Sequence, residues 1–476
     1  MLTDHFAPVL AELEPLAERF ASRGHRLHLV GGTVRDLLLG LDASAVDIDL
    51  TTDARPADIK RCLDGWADAI WTQGERFGTI GAQRRWGTDD GPRTYEITTH
   101  RSEAYTDDSR KPHVTFADDL EADLSRRDFT INAMALELTA GSSPEVIDPF
   151  GGAADLADRT LRTPLDPVIS FSDDPLRMLR AARFVAAHTM SPADGLVEAV
   201  RQLAHRLDIV SPERLRVELD KLMVLDHPGP GLWFLVDTGL TQQFLPELPA
   251  LRGERDPRHR LPDRLANSIA VVEQVRPMRE QPPDQAPFDL RITRLAALFH
   301  DVGSPLDGEP TSLRPGQRRG VRLTRSRMQA LRYSNDDLDA VVRLVGLQLM
   351  APVHPVVWTD AAVRRYVRDA GPLVAELDML LRSERSTWWE AERELALLDE
   401  LRRRIAELST REDLRDIRPD LDGRAVMDHL RIPAGPLVGE ALDLLLEIRL
   451  EEGPIGVDEA RRRLDAWALD RRGGAG

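Results

Sequence analysis

Asp47 and Asp49 stand two residues apart in Val46-Asp47-Ile48-Asp49-Leu50, a short apolar run with two carboxylates. Successive strand side chains point to opposite faces. In a strand, both acids therefore share one face, while Val46, Ile48 and Leu50 turn to a core. Two like charges side by side repel unless something positive lies between them. A hard divalent cation such as Mg2+ does this with carboxylate oxygens and leaves positions open for phosphate. Taken alone, the pattern also suits a polar edge strand with two solvated acids. Gly31-Gly32 precede a helix with Arg35 in its first turn. Glycine lets a backbone approach a ligand, and a helix N-terminus favours anions; a plain strand-to-helix turn reads the same way. Arg126-Arg127-Asp128 lie just before an apolar segment. Behind Asp174, Arg177, Arg180 and Arg183 recur at steps of three, which puts Asp174 beside Arg177 and winds Arg183 away. Three arginines in one helix make either a solvated face or, flanked by Leu176, Met178, Leu179 and Phe184, a groove wall.

The elements that must position these groups alternate at first. A helix spans Val9 to Phe20, with Pro15 kinking it or marking a fresh start. Strand-like Arg26 to Val30, helix Thr33 to Leu39 and the Asp-x-Asp strand follow. Then come a helix from Asp58 to Ala69 and strands around Thr79 and from Thr94 to Thr99, with Glu96 either a third acid or a solvent-facing strand residue. Arg101 to Leu120, with Asp107, Asp108, Arg110 and Lys111, lacks periodicity and reads as a mobile loop. Ile147 to Gly152 is a turn and candidate hinge. This alternation implies a small α/β domain. From about Phe171 helical periodicity takes over, with a proline-marked start at Ser172-Asp173-Asp174-Pro175 and another at Ser211-Pro212-Glu213-Arg214. Leu251 to Pro287 reads as including a linker, and His300-Asp301, after an apolar run, is a candidate metal site.

At 476 residues the chain exceeds a single core. Its net charge of −17 argues against a basic coat for indiscriminate nucleic-acid binding, but leaves room for a local basic groove. No apolar run approaches the roughly 18 residues of a membrane span, and Met1 to Phe20 shows no leader pattern. With Cys62 the only cysteine, no internal disulfide can form, which suits the cytoplasm.

The segments Leu29-Val30-Gly31-Gly32-Thr33-Val34-Arg35-Asp36, Asp47-Ile48-Asp49, Arg126 to Met134, Asp148 to Gly152, Asp173 to Arg180 and Ser211 to Arg214 occur in one order. That order and spacing resembles the bacterial CCA-adding tRNA nucleotidyltransferases, close relatives of bacterial poly(A) polymerases. The resemblance implies an α/β polymerase-β-like nucleotidyltransferase head (1–165), a helical neck (166–250), an HD-like helical body (251–365) and a helical tail (366–476). It implies Mg2+ on Asp47 and Asp49, which would be catalytic, and a triphosphate cradle at Gly31, Gly32 and Arg35. Arg127 and Asp128 resemble the ribose-contacting pair, with nucleotide contacts extending to Arg180 and Arg183. Asp174 and Arg177 would read the base. Cytosine and adenine each offer an amine donor beside a ring-nitrogen acceptor, which suits a carboxylate and a guanidinium; uracil and guanine offer the reverse. The partners implied are the tRNA 3′ end, CTP and ATP, with no membrane and no stable protein partner. Alternatives in the same fold are a poly(A) polymerase, an enzyme adding only part of CCA, or a non-catalytic RNA-binding homologue. The sequence departs from the resemblance at Asp173, usually Glu, and in the HD region. There Asn267 stands for a histidine, and Gln317-Arg318-Arg319 and Gln348 stand where others are expected, so that region reads as a scaffold without phosphohydrolase activity.

Overall fold

The computed structural model describes residues 2–41, 47–85, 91–106, 109–116, 119–139, 145–276, 287–303, 313–350 and 358–473. The chain divides into two compact units, Met1–Pro246 and Glu247–Gly476.

The first unit is built on a seven-stranded mixed sheet. Its strands are β1 (Leu27–Val30), β2 (Ile48–Thr52), β3 (Ala69–Trp71), β4 (Thr79–Arg84), β5 (Arg93–Thr99), β8 (Ala135–Glu137) and β9 (Val146–Ile147), in the order β3-β4-β5-β2-β1-β8-β9. Only the central pair β2 and β5 runs parallel; the other neighbours are antiparallel. Alternation sorts the two faces. Ile48, Leu50, Tyr95 and Ile97 are buried on one side, which leaves Asp49 and its register partner Glu96 on the other. Val46, expected on the buried side, lies outside the described residues.

The buried side is covered by helix α1 (Leu2–Ala21), which inserts Phe6, Val9, Leu13, Leu16, Ala17 and Phe20. Glu12 on the same helix accepts hydrogen bonds from Tyr95 Oη and Arg93. The helix is continuous through Pro8 and Pro15. Pro15 therefore starts no fresh helix: its missing donor would leave only the carbonyl of exposed Ala11 without an intrahelical partner, while its neighbours stay in the core.

Helices α2 (Gly32–Leu38), α3 (Pro56–Leu63), α4 (Leu120–Ser125) and α5 (Gly152–Ala157) fill the connections. The expected loop after β5 is instead an antiparallel pair, β6 (Arg101–Thr106) with β7 (Ser109–Phe116). Its polar, aperiodic sequence hides the pairing because a two-stranded ribbon need not bury one face. Asp107 and Asp108 lie outside the described residues. The expected hinge at Gly151-Gly152 is capped by Asp148, whose carboxylate accepts from Gly152 and Ala153 N–H at 2.7 and 2.9 Å. A Cβ at Gly152 would come within 2.1 Å of the Thr130 carbonyl, so this glycine serves close packing.

Helices α6 (Pro167–Asp173), α7 (Leu176–Ala187), α8 (Leu196–Leu203), α9 (Pro212–Met223), α10 (Gly229–Asp237) and α11 (Thr241–Phe244) complete the first unit. Pro175 is the cap residue of α7 rather than part of its first turn. The second unit is helical from α12 (Arg264–Gln274) to its end, among the described residues. The expected linker thus contains α12, begun by Asp263, whose side chain accepts from Ala266 N–H. Residues 277–286 of that stretch lie outside the described residues.

Candidate active site

Asp49 and Glu96 sit in register on the only parallel strand pair of the sheet. Asp47 immediately precedes β2 and is exposed. Burial pushes the Asp49 carboxyl above its usual range, and the neighbouring Asp47 charge adds to this while Arg127 opposes it. Glu96 is raised in the same direction, by burial and then by Asp49 and Asp47. These acids therefore feel one another without enough internal positive charge. Among the described residues, no group of three His, Cys, Asp or Glu is placed to close a metal site. Asp47 and Asp49 are instead two hard oxygen donors on an open face, the donor set an oxygen-bound divalent cation uses when phosphate completes its shell. Glu96, left open by the sequence, belongs to this face.

Gly31 has φ +74°, and a Cβ there would lie 3.0 Å from Arg127 Nη1 and 3.4 Å from Asp49 Oδ2. A side chain at this position would therefore crowd both Asp49 and Arg127. Arg127 also faces Asp123 at 3.5 Å, and its Nε is buried without a partner. Arg35 donates to Asp36 Oδ1 at 2.8 Å and to Asn132 Oδ1 at 2.7 Å. Its guanidinium, with those of Arg180 and Arg183, surrounds the Phe184 ring, at 5.4, 5.8 and 4.7 Å from the centroid. Phe184 is buried and packs edge-on against Phe129.

Asp128 is committed to its own chain. Oδ1 accepts from Phe129 N–H (2.9 Å) and Asn132 Nδ2 (3.0 Å), while Oδ2 takes both Nε and Nη2 of Arg180. Burial alone would raise this carboxyl, but Arg180 and the donated bonds outweigh it and hold the group down at about 2. All four lone-pair positions are occupied.

The sequence places Asp174 and Arg177 side by side, and the structure gives each its own support. Arg177 is buried, donating from Nη1 to Ser170 Oγ (2.8 Å) and from Nη2 to the Arg126 carbonyl. Asp174 accepts from Leu176 N–H at 3.2 Å and from Arg214 at 3.0 Å. Arg183 donates to Glu218 at 2.9 Å. Arg214, Glu218, Asn132 and Asp123 are the functional-site neighbours that the sequence reading leaves without a role. Arg214 and Asn132 lie inside the quoted motifs, but their partners are 40 and 97 residues distant in the chain.

In the second unit His300 and Asp301 are brought together with Asn267, as expected, and with an unforeseen cation. Asn267 Nδ2 is 3.3 Å from His300 Nε2 and 3.0 Å from Asp301 Oδ2. Arg264 donates to Asp301 at 3.3 Å and faces Asp256 at 3.5 Å. All of these residues are buried. A guanidinium at the aspartate repels the metal that a phosphohydrolase would need there. With Mn2+, Ni2+ or Zn2+ supplied, the protein is expected to leave nucleoside 2′,3′-cyclic phosphates intact. Hydrolysis abolished by His300→Ala would overturn this.

A mixed sheet with an acid pair on its open face, beside a glycine-started helix and a set of arginines, is the arrangement of a nucleotidyltransferase-type head domain. The family described as "Poly A polymerase head domain" matches residues 27–162, and "Probable RNA and SrmB- binding site of polymerase A" matches 190–251. The CCA-adding enzyme of Lactobacillus helveticus (strain DPC 4571) is 34% identical over 254 residues, 53% of this chain and 59% of that one. That of Geobacillus thermodenitrificans (strain NG80-2) is 29% identical over 459 residues, 94% of each chain. The structure of the Bacillus stearothermophilus CCA-adding enzyme in complex with CTP superposes with a TM-score of 0.69 at 25% identity, over 99% of both chains. The chain thus carries a segment matching the poly(A) polymerase head and one matching that family's RNA-binding region, and it is similar along most of its length to CCA-adding enzymes. The chain spans a little over half the length of several of the curated relatives it matches. Among the described residues, no helix is long and apolar enough to cross a membrane.

Proposed function

We propose that this chain completes the tRNA 3′ end, adding C, C and A from CTP and ATP without a nucleic-acid template. The observation that carries the reading is that Asp49 and Arg127 both lie within 3.4 Å of where a Gly31 side chain would stand, in the same unit as Asp174 and Arg177. The similarity to enzymes described as CCA-adding, one of them in complex with CTP, supports the choice of substrates. Asp47 and Asp49 would hold Mg2+, which when bound neutralises charge at the reacting phosphate and at the departing pyrophosphate. The reaction joins the tRNA 3′-hydroxyl oxygen to the α-phosphorus and breaks its bond to the bridging oxygen of pyrophosphate.

Gly31, Gly32, Arg35 and Arg127 receive the triphosphate. Asp174 accepts from the exocyclic amine of cytosine or adenine, and Arg177 donates to the adjacent ring nitrogen, with Ser170 and the Arg126 carbonyl holding it in place. A ribose hydroxyl would reach Asp128 only in exchange for one of its present bonds, so Asp128 serves chiefly to seat Arg180, with Arg183 anchored behind it on Glu218. Neck, body and tail boundaries at 166–250, 251–365 and 366–476, a basic tRNA path within the acidic chain, and a cytoplasmic setting belong to the same reading.

Pure protein incubated with tRNA lacking CCA, with each NTP separately and together, tests it. Two C and one A are expected. Uptake of A alone, A without limit, or nothing would overturn it. A second expectation concerns the cradle: Gly31→Ala strains a left-handed backbone position and pushes against Arg127. The KM for CTP and ATP should rise about tenfold, the effect of roughly 1.4 kcal/mol. An unchanged KM would remove Gly31 from the nucleotide site.

A further inference from the structure

Resting on the base-reading role proposed for Asp174, we propose that Arg214 is a positioning residue for nucleotide choice: it fixes the carboxylate that reads the base without itself touching the base. Asp174 lies at the junction between α6 and α7. One of its oxygens, Oδ1, accepts from Leu176 N–H at 3.2 Å, the start of α7. The other, Oδ2, accepts from Arg214 Nη2 at 3.0 Å. Two bonds from different directions fix both side-chain torsions of a short acid. Each oxygen has two lone-pair sites, so each keeps one for a base amine. Without Arg214, Oδ2 keeps no hydrogen-bond partner among the described residues and the carboxylate can turn about the Oδ1 bond.

The ion pair is poorly explained as a stabilising device. The Arg214 side chain is 50% exposed and that of Asp174 27% exposed, and exposed pairs contribute little to stability. Its geometry instead belongs to a larger arrangement. Arg214 and Glu218 are four residues apart on α9, hence on one face. Glu218 is buried, holding Arg183 at 2.9 Å and standing 3.9 Å from Arg180. One face of α9 therefore supports Asp174 at the start of α7 and two arginines further along that helix. Adenine and cytosine differ in size, yet both must present an amine to one oxygen. A carboxylate held from two sides keeps that oxygen in place for both.

The test uses the full chain, equilibrium binding of CTP, ATP, UTP and GTP, and steady-state addition to tRNA lacking CCA. Arg214→Ala is expected to fold with an unchanged melting temperature. Its preference for CTP and ATP over UTP and GTP should fall about tenfold in binding, and its KM for the correct nucleotides should rise similarly. The kcat at saturation should stay within about threefold. Arg214→Lys, which keeps a donor for Oδ2, should recover most of the preference. A preference in Arg214→Ala equal to that of the unaltered protein, or tighter binding, would overturn the inference, tighter binding marking Arg214 as a competitor of the base. If the unaltered protein shows no preference among the four nucleotides, the base-reading assignment itself fails and the inference with it.

Discussion

Asp49→Asn is expected to lower kcat for C addition and A addition alike by about 1,000-fold, the scale of losing one preorganised electrostatic contact at a reacting centre, and to raise the melting temperature in the absence of divalent metal. The two effects have one origin. Asp49 is an acid half withdrawn from water beside Asp47 and Glu96, and its carboxyl sits above the ordinary range. A raised carboxyl pKa means that the folded state disfavours the charged form. The resulting penalty is fully present above the folded pKa and absent below the unfolded one. At neutral pH the ionised acid therefore works against folding, and asparagine removes that cost. Below about pH 4, where Asp49 is protonated, the melting temperatures of variant and unaltered protein should converge. Added Mg2+ should raise the melting temperature of the unaltered protein by binding the folded state, and should do so much less for Asp49→Asn. Asp47→Asn should show the same loss of both additions. A variant that keeps more than a tenth of its activity, or melts lower than the unaltered protein at pH 7 without metal, would remove Asp49 from the centre of the reaction. A selective loss of C or A addition would do the same, because the acid pair serves the transferred phosphate and is blind to the base.

What the sequence made legible was mostly local. Asp47 and Asp49 could be placed on one face because strand periodicity is two, and Gly31-Gly32 could be read as a turn into a helix because glycine punctuates such junctions. The sheet itself was legible as an α/β alternation, but the parallel pairing of β2 with β5 was not. That pairing is what puts Glu96 beside Asp49, and no spacing rule within either strand encodes it. The hairpin at Arg101–Phe116 was missed because its residues carry no apolar alternation. The helix Arg264–Gln274 was hidden in a proline-rich stretch whose prolines fall outside it. Most informative are the ionic partners. Arg177, Arg180 and Arg183 read equally well as a solvated face. Only the fold shows that Ser170, Asp128 and Glu218 take them up individually. Arg214 likewise reads as part of a helix start until Asp174 is seen against it. Long-range pairing of charges is invisible to periodicity, which is why the chemistry-bearing residues were found and their supports were not.

Among those supports, Arg180 is expected to show the largest effect on stability. Arg180→Met should destabilise the first unit by about 3 kcal/mol at pH 7, because it leaves the buried Asp128 carboxylate without its cation. For a unit of this size that corresponds to a melting temperature lower by roughly 8 °C. Asp128 keeps bonds from Phe129 N–H and Asn132, but neither carries charge. Asp128→Asn alone should also destabilise, by about 2 kcal/mol, since its single amide oxygen can replace Oδ2 toward Arg180 or Oδ1 toward Phe129 N–H and Asn132, but not both. The double variant Asp128→Asn with Arg180→Met should cost well under the sum, with a coupling of about 2 kcal/mol, because neither residue is then left buried and charged. The pH dependence follows from the direction of the shift. Asp128 is held down at about 2, burial being outweighed by Arg180 and the donated bonds. An acid lowered in the folded state stabilises above its unfolded pKa, near 4, and that contribution fades as pH falls through about 2. In Arg180→Met burial prevails instead, and the carboxyl rises. The deficit of this variant should therefore be full only above its raised Asp128 pKa, begin to shrink as pH falls through that value toward 4, and go on shrinking below 4 as the unaltered protein loses its own contribution. Denaturant unfolding of the three variants at pH 7, 5 and 3 measures this. Strict additivity of the two substitutions, or a deficit independent of pH, would mean that Arg180 is held by Glu218 and the Phe184 ring rather than by Asp128, and that the ion pair is incidental to the site.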